Sequence, residues 1–372
     1  MNRYHIHYHS RTLVSLAGIK DQQVLPLRGW RFDFTEDKVG IVLVDNVKNS
    51  DGINLHTGLN MFVDVGANSE GGAKETSKNI AETLLNLVTF STLAYCSSAK
   101  LVSVMEVCDK GPYLFEHYAY PFDEWELIGS RCVIDENIFR AIFENYNRNA
   151  HKQRIMRTLS WLRKGVGEEN KVDQFISYWV GLEVIKHILR RTLRTRTKNL
   201  DEWAGVEDVF IHKLSFQDFG TIKQSGRNGL LHGFRELDDE FMREIAGYVE
   251  PIRKTLIFCI GSVLGLEDSV TMIISSKTPW GIPKGPSAII KGEITNLPPT
   301  FEELVENYPV IDAEISNREF SLDESGDLNL KFSTSHHFRG PSDTKWDVKA
   351  VELWGDKDAG IRRGYIGEVA PT

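Results

Sequence analysis

Phe175, Tyr178, Trp179, Leu182, Ile185 and Leu189 recur at three- and four-residue steps through VDQFISYWVGLEVIKHILRR, a helical period sustained over about four turns. A stripe that apolar and aromatic needs a partner surface. The neighbouring sequence offers one, because Ile155, Leu159 and Leu162 form a second stripe in HKQRIMRTLSWLRKG. DDEFMREIAGYVEPIRKTLIFCIGSVLG continues the pattern to residue 265. The spacing therefore predicts an all-α bundle over 136–270. Asp173 is the expected N-cap of the aromatic helix, Gly165 a stop, and Pro251 a kink or break.

The flanks read differently. Over 1–135, VGIVLV (39–44) and LNMFVDV (59–65) are strand-like, and MEVCDKGPYLFEHYAYPF (105–122) has strand and turn character. Between them TSKNIAETLLNLVTFSTLAY (76–95) has helical spacing with Thr76 or Ser77 as its cap, which makes a mixed α/β domain. Pro, Gly and Ser crowd SSKTPWGIPKGPS, so 271–287 reads as a linker. Alternating runs in DAEISNREFSL, DLNLKFSTS and WDVKAVELWG make 288–372 a small β-rich domain. The expected class is α+β multidomain: a central helical bundle between an N-terminal mixed α/β domain and a C-terminal β-rich one.

With 41% hydrophobic and 10% aromatic residues the 372-residue chain can bury a substantial core. Cys96, Cys108, Cys132 and Cys259 are far apart and form no C-x-x-C pair, which fits a reducing compartment without structural zinc. No basic segment followed by an apolar run opens the chain, and no stretch has the length of a spanning helix. The expectation is a cytoplasmic protein without a membrane partner. The net charge of -8 argues against a general nucleic-acid binder. It is unevenly spread, however. Residues 151–265 carry 19 Lys/Arg against 15 Asp/Glu, so a polyanion meets least repulsion there.

SGRNGLLHG (225–233) puts three groups able to meet a phosphate beside two leucines. On a helix capped by Ser225, Leu230, Leu231 and Phe234 share an apolar side, and Asn228 and His232 lie away from it. Arg227 would then sit in the first turn, where free N–H groups and the positive helix end favour phosphate. A guanidinium forks onto phosphate oxygens, and an imidazole moves protons near neutral pH. The plain alternative is that Arg227 caps a neighbouring helix and His232 fills a satisfied surface position.

GRNGLLHG resembles the R-[polar]-x-x-x-H motif of HEPN-domain proteins, especially the Apea-like group, whose form is close to RN-x-x-x-HG. LSWLRKGVGEENKVDQFISYWVGLEVI (159–185) is similar to that group's opening helix pair, with its F-x-x-x-W-x-x-LE pattern. Together they extend the resemblance over 136–270, about a third of the chain. It implies a HEPN-like bundle acting as a metal-independent endoribonuclease that needs no cofactor. RNA would be the substrate, cut by its own 2′-hydroxyl to leave a 2′,3′-cyclic phosphate. His232 would move the proton, Arg227 would stabilise phosphate charge, and Asn228 would orient or bind. A homodimer would bring two motifs to one cleft, and a trigger would act through the flanking domains, as in a toxin-like defence effector. The same resemblance allows a non-catalytic dimerisation or binding module, or nucleotide binding at the same cleft.

Glu183, in the LE pair, is placed to meet Arg227 across the bundle or to be an exposed helix charge. KHILRRTLRTRTK (186–198) holds six basic residues, among them Arg190, Arg191 and Arg194, which would guide an RNA backbone or form a solvated helix end. His5, His7 and His9 of HIHYH share one face of a strand, as a metal site would want, but no neighbouring Cys, Asp or Glu completes a shell. His336 and His337 point to opposite faces. VGANSEGGAKETS (65–77) lacks the glycine spacing and Gly-Lys-Ser/Thr ending of a phosphate loop and reads as a flexible turn. No metal site is expected.

Overall fold

The computed structural model describes residues 2–16, 29–34, 38–50, 53–107, 113–118, 132–192, 202–231, 235–236, 238–280, 287–322, 328–341, 343–354 and 364–366. Its strands are β1 (Asn2–Ser10), β2 (Val14–Ser15), β3 (Trp30–Phe34), β4 (Val39–Ser50), β5 (Ile53–Ala67), β6 (Lys100–Val107), β7 (Tyr113–His117), β8 (Cys132–Val133), β9 (Ser287–Thr295), β10 (Val310–Leu322), β11 (Leu328–Arg339), β12 (Lys345–Trp354) and β13 (Gly364–Ile366). Its helices are α1 (Glu70–Thr92), α2 (Glu136–Arg148), α3 (Lys152–Gly167), α4 (Lys171–Thr192), α5 (Ala204–Asp208), α6 (Phe219–Thr221), α7 (Gly229–Leu231), α8 (Asp239–Leu264), α9 (Asp268–Ser275) and α10 (Phe301–Glu306). The protein is mixed α/β, organised on one large antiparallel sheet.

That sheet runs β13-β12-β9-β7-β6-β1-β5-β4-β3. β9 pairs antiparallel with β7, placing Tyr113 opposite Ile294 and His117 opposite Ile290. The expected boundary at 271–287 thus divides the chain without dividing the sheet: β9, β12 and β13 extend the N-terminal strands. The expected linker also differs in part. Thr271–Ser275 close α9 with Thr271 and Ile274 buried, and Trp280 exchanges backbone hydrogen bonds with Leu93 and Tyr95. Residues 281–286 lie outside the described residues.

Alternation along β1 sends Tyr4, Ile6 and Tyr8 to one face and His5, His7 and His9 to the other. The first face meets α1 and the helical layer in the main core, with Ile41, Leu43, Met61 and Val63 beside it. The second face carries a smaller core, in which Val42, Phe62, Met105 and Phe115 pack under Ile290, Ile294, Phe301, Leu304 and Tyr308. His5 stacks on Phe301 at 5.0 Å and His7 on Phe62 at 4.5 Å. The imidazoles are therefore wall material of an aromatic core. No group of His, Cys, Asp and Glu able to hold a metal ion occurs among the described residues.

The helix stripes pack as their spacing implies: Phe175, Tyr178, Trp179, Leu182, Ile185 and Leu189 are all buried, as are Ile155, Leu159 and Leu162. Helix ends differ from expectation. α1 starts at Glu70 with Ser69 accepting from the Gly72 N–H, so the stretch expected to be a flexible turn is largely helix and Thr76 and Ser77 lie inside it. At α4 the Asn170 side chain, not Asp173, accepts from the Val172 N–H. α3 runs two residues past Gly165, where an added Cβ would lie 2.3 Å from the Tyr178 ring. Gly165 marks close helix packing, not a stop. α8 runs unbroken through Pro251. No helix among the described residues is long and apolar enough to cross a membrane.

Candidate functional site

The motif sits on one helical rod made of α6, a π turn over Ile222–Asn228, and α7. The rod begins after Asp218, which takes a left-handed backbone, and Thr221 and Ile222 donate to the Asp218 carbonyl. Ser225 is therefore an interior residue and not the N-cap expected of it. Arg227 is not in a first turn, so it does not lie beside the free N–H groups and positive end of a helix start. The reason is hydrophobic. Phe219 and Ile222 are buried, and Phe219 packs against Trp179, Trp203 and Phe210, so the aromatic cluster starts the helix two turns early.

The π turn then changes where Arg227 points. Bonds from i to i+5 spread each turn over more residues than an α-helix does. Arg227, which ideal α spacing aims at the apolar side, instead reaches across to α4. Its Nε donates to Glu183 Oε1 at 2.7 Å and its Nη1 to Asn228 Oδ1 at 3.0 Å. The same Glu183 oxygen accepts from Trp179 Nε1 at 3.2 Å. Arg227 keeps 27% of its side-chain surface and Glu183 30%, so the pair is open to solvent on one side. Arg227, Asn228 and Glu183 are thus joined in one network. His232 and Arg194 lie outside the described residues. Arg190 and Arg191 fall in the last turns of α4, and their side chains are likewise outside the described set.

Two glycines make the seating possible. A Cβ on Gly226 would lie 2.8 Å from Phe175 Cζ, and one on Gly229 would lie 2.7 Å from Phe241 Cζ. The motif backbone therefore rests directly on ring edges from α4 and α8. This accounts for the glycines on either side of the Arg-Asn pair.

A second polar group, not singled out in the sequence, brackets the motif. Ser225 Oγ and Tyr248 Oη both donate to Glu244 Oε1, at 2.7 and 2.6 Å. Arg235, three residues beyond His232, pairs with Glu244 Oε2 and covers the Phe241 ring at 4.3 Å. The Tyr248 and Ser225 hydrogen bonds, with Arg235 behind them, hold the Glu244 carboxyl below its usual range. Burial and the Glu244 carboxylate push the Tyr248 phenol up to about 12. The four-residue step from Glu244 to Tyr248 was the available sequence signal. Both ends of the segment are tied to α8 in this way. In the basic run, Lys186 is buried and spent on Glu202 and the Trp203 ring, so it does not belong to a solvated charge stripe.

No protein-family model, no curated protein and no solved structure matches this chain.

Proposed function

We propose that the helical layer is a HEPN-type bundle and acts as a metal-independent endoribonuclease. The observation that carries this reading is the half-open Arg227 guanidinium, held by Glu183 and Asn228 on a π turn five residues ahead of His232. A guanidinium oriented by a carboxylate, with about a quarter of its side chain exposed, is suited to stabilising charge on a scissile phosphate. In the reaction the RNA 2′-hydroxyl attacks the adjacent phosphorus and the bond to the 5′-oxygen breaks. The products are a 2′,3′-cyclic phosphate and a 5′-hydroxyl. The 2′-hydroxyl loses one proton and the leaving oxygen gains one, so two proton-transfer groups are needed. A homodimer supplies them as two copies of His232 facing one cleft. Arg190, Arg191 and Arg194 would steer the RNA backbone. The protein would act in the cytoplasm as a defence or toxin-like effector, with a trigger sensed by the sheet.

The second reading is a non-catalytic HEPN module for dimerisation or binding. It is favoured by the same bonds taken alone: Nε and Nη1 of Arg227 are already engaged, as in a strut that ties the π turn to α4.

Incubating a total-RNA and tRNA pool with the protein in EDTA, wild type beside His232→Ala, separates the two. Fragments ending in cyclic phosphate, lost in the variant while its fold and dimer persist, support the nuclease. RNA that stays intact with both proteins while dimerisation persists favours the module.

A further inference from the structure

A cleft of about 370 Å³ opens on the opposite side of α3 from the motif's partner helix, between α1, α3 and the chain leaving α1. Its lining includes Glu82, Asn86, Tyr95, Arg163, Lys164 and Glu168. Small-ligand cavities span about 300–1,000 Å³.

Arg163 is the reason to regard it as a built site. Its side chain is only 6% exposed, although a buried guanidinium is costly unless its donors are met. Nε donates to the Cys96 carbonyl at 2.6 Å, and Nη1 donates to Glu82 Oε2 at 2.8 Å and Asn86 Oδ1 at 3.0 Å. Nη2 has no hydrogen-bond partner among the described residues, and Arg163 borders the cleft. Glu82 is used up: its second oxygen accepts from the Ala99 N–H at 2.7 Å.

Two further charges line the same space without neutralising each other. Lys164 and Glu168 stand four apart, a spacing that ordinarily pairs on a helix. Glu168, however, is the C-cap of α3, and the chain leaves the helix there with an extended backbone. Lys164 lies over the Trp161 ring at 5.1 Å instead. Neither makes an ion pair among the described residues. The cleft therefore offers an open guanidinium edge and an ammonium together with a separate carboxylate, and its four charged side chains sum to zero. A dianion gains little from a neutral lining, whereas a ligand with one positive and one negative end finds a partner for each. Tyr95, whose ring lies so close to Gly167 that a Cβ there would be 2.6 Å from it, supplies a fixed flat wall.

We propose that this cleft binds a small zwitterionic metabolite of the α-amino-acid class, its carboxylate held by Arg163 and Lys164 and its ammonium by Glu168. The site bridges α1 and α3, so occupancy ties the helix backing the sheet to the helical layer. The inference does not rest on the nuclease reading.

The test is thermal melting of the full chain with each of the twenty common L-α-amino acids at millimolar concentration. The matching des-amino acids and inorganic phosphate serve as comparators. At least one amino acid should raise the melting midpoint by about 3 °C at a hundredfold excess over its Kd. Its des-amino analogue should not. Lys164→Met and Glu168→Gln, on side chains that make no ion pair among the described residues, should melt close to wild type alone and weaken the response at least about tenfold, the worth of one charge-assisted contact. The proposal is overturned if no amino acid shifts the midpoint. It is equally overturned if phosphate or the des-amino acid does as well, or if both variants respond like wild type.

Discussion

Arg227 Nε and Glu183 Oε1 are 2.7 Å apart, joining a π turn to the aromatic helix through an oxygen that also receives the Trp179 indole N–H. Glu183→Gln keeps an acceptor for the indole and removes the charge that holds the guanidinium. Both partners are more than a quarter exposed, so stability should fall by only about 0.5–1 kcal/mol in a urea titration. RNA cleavage should fall by up to about a hundredfold in kcat, because a misplaced guanidinium costs far more in rate than in folding. Equal cleavage by variant and wild type would remove Glu183 from the site.

Gly226→Ala and Gly229→Ala test the ring-edge seating. Gly229 has ordinary helical torsions (φ -59°, ψ -49°), so an alanine there should gain about 1 kcal/mol of helix propensity if space allowed. The added Cβ instead meets Phe241 at 2.7 Å, and overpacking costs about 1–3 kcal/mol. A net loss of about 0–2 kcal/mol is expected at each position, read as a lower urea midpoint. A gain at either one would mean that the rings move aside freely.

These glycines show where sequence reasoning stops. The stripes through Phe175–Leu189 and Ile155–Leu162 were legible because burial follows helical period, and all nine residues are buried. Strand runs at 39–44 and 59–65 were legible from their branched residues bounded by turn formers, and both lie within strands. The starts of helices were not. Ser69 and Asn170 won the caps from Thr76, Ser77 and Asp173, and the cluster of Phe219 with Trp179 and Trp203 moved the motif's helix start ahead of Ser225. A π turn leaves no local signature, so the direction of Arg227 could not be read from spacing. The joining of β9 to β7 is a pairing across 173 to 181 residues, which no local pattern encodes.

Burial lowers the His5 and His7 imidazoles from 6.5 to about 4. The unfolded chain takes up these protons near pH 6.5 and the folded one does not until about pH 4. Stability is therefore full above 6.5, declines as pH falls between those values, and levels off below. For His7 alone a pKa of about 4 against 6.5 corresponds to about 3 kcal/mol. Neither His7 nitrogen makes a well-formed hydrogen bond among the described residues, and the nearby Asn60 amide opposes the effect of burial only in part. His7→Phe, between Phe62 and Tyr308, should therefore stabilise the fold by about 1–3 kcal/mol at pH 7. It should also flatten the acid limb, as urea titrations from pH 8 to pH 4 would show. An unchanged acid limb would place the proton uptake elsewhere.

A chain ending at residue 286 tests whether the last quarter is a separate unit. If it were, the remainder would fold unchanged. The shared sheet predicts otherwise. Removing β9 strips the hydrogen-bonding edge of β7, and the loss of Ile290, Ile294, Phe301, Leu304 and Tyr308 uncovers His7, Phe62, Met105 and Phe115. Five buried side chains at about 1.5–3 kcal/mol each amount to about 7–15 kcal/mol, the size of a whole domain's stability. The exposed edge is also a template for pairing between chains. The shortened chain should be recovered aggregated or without a cooperative melt, whereas a soluble chain with the parent's melting midpoint would restore the boundary at 271–287. Appending residues 287–372 as a separate polypeptide should rescue solubility, because the pairing of β9 with β7 needs no covalent link.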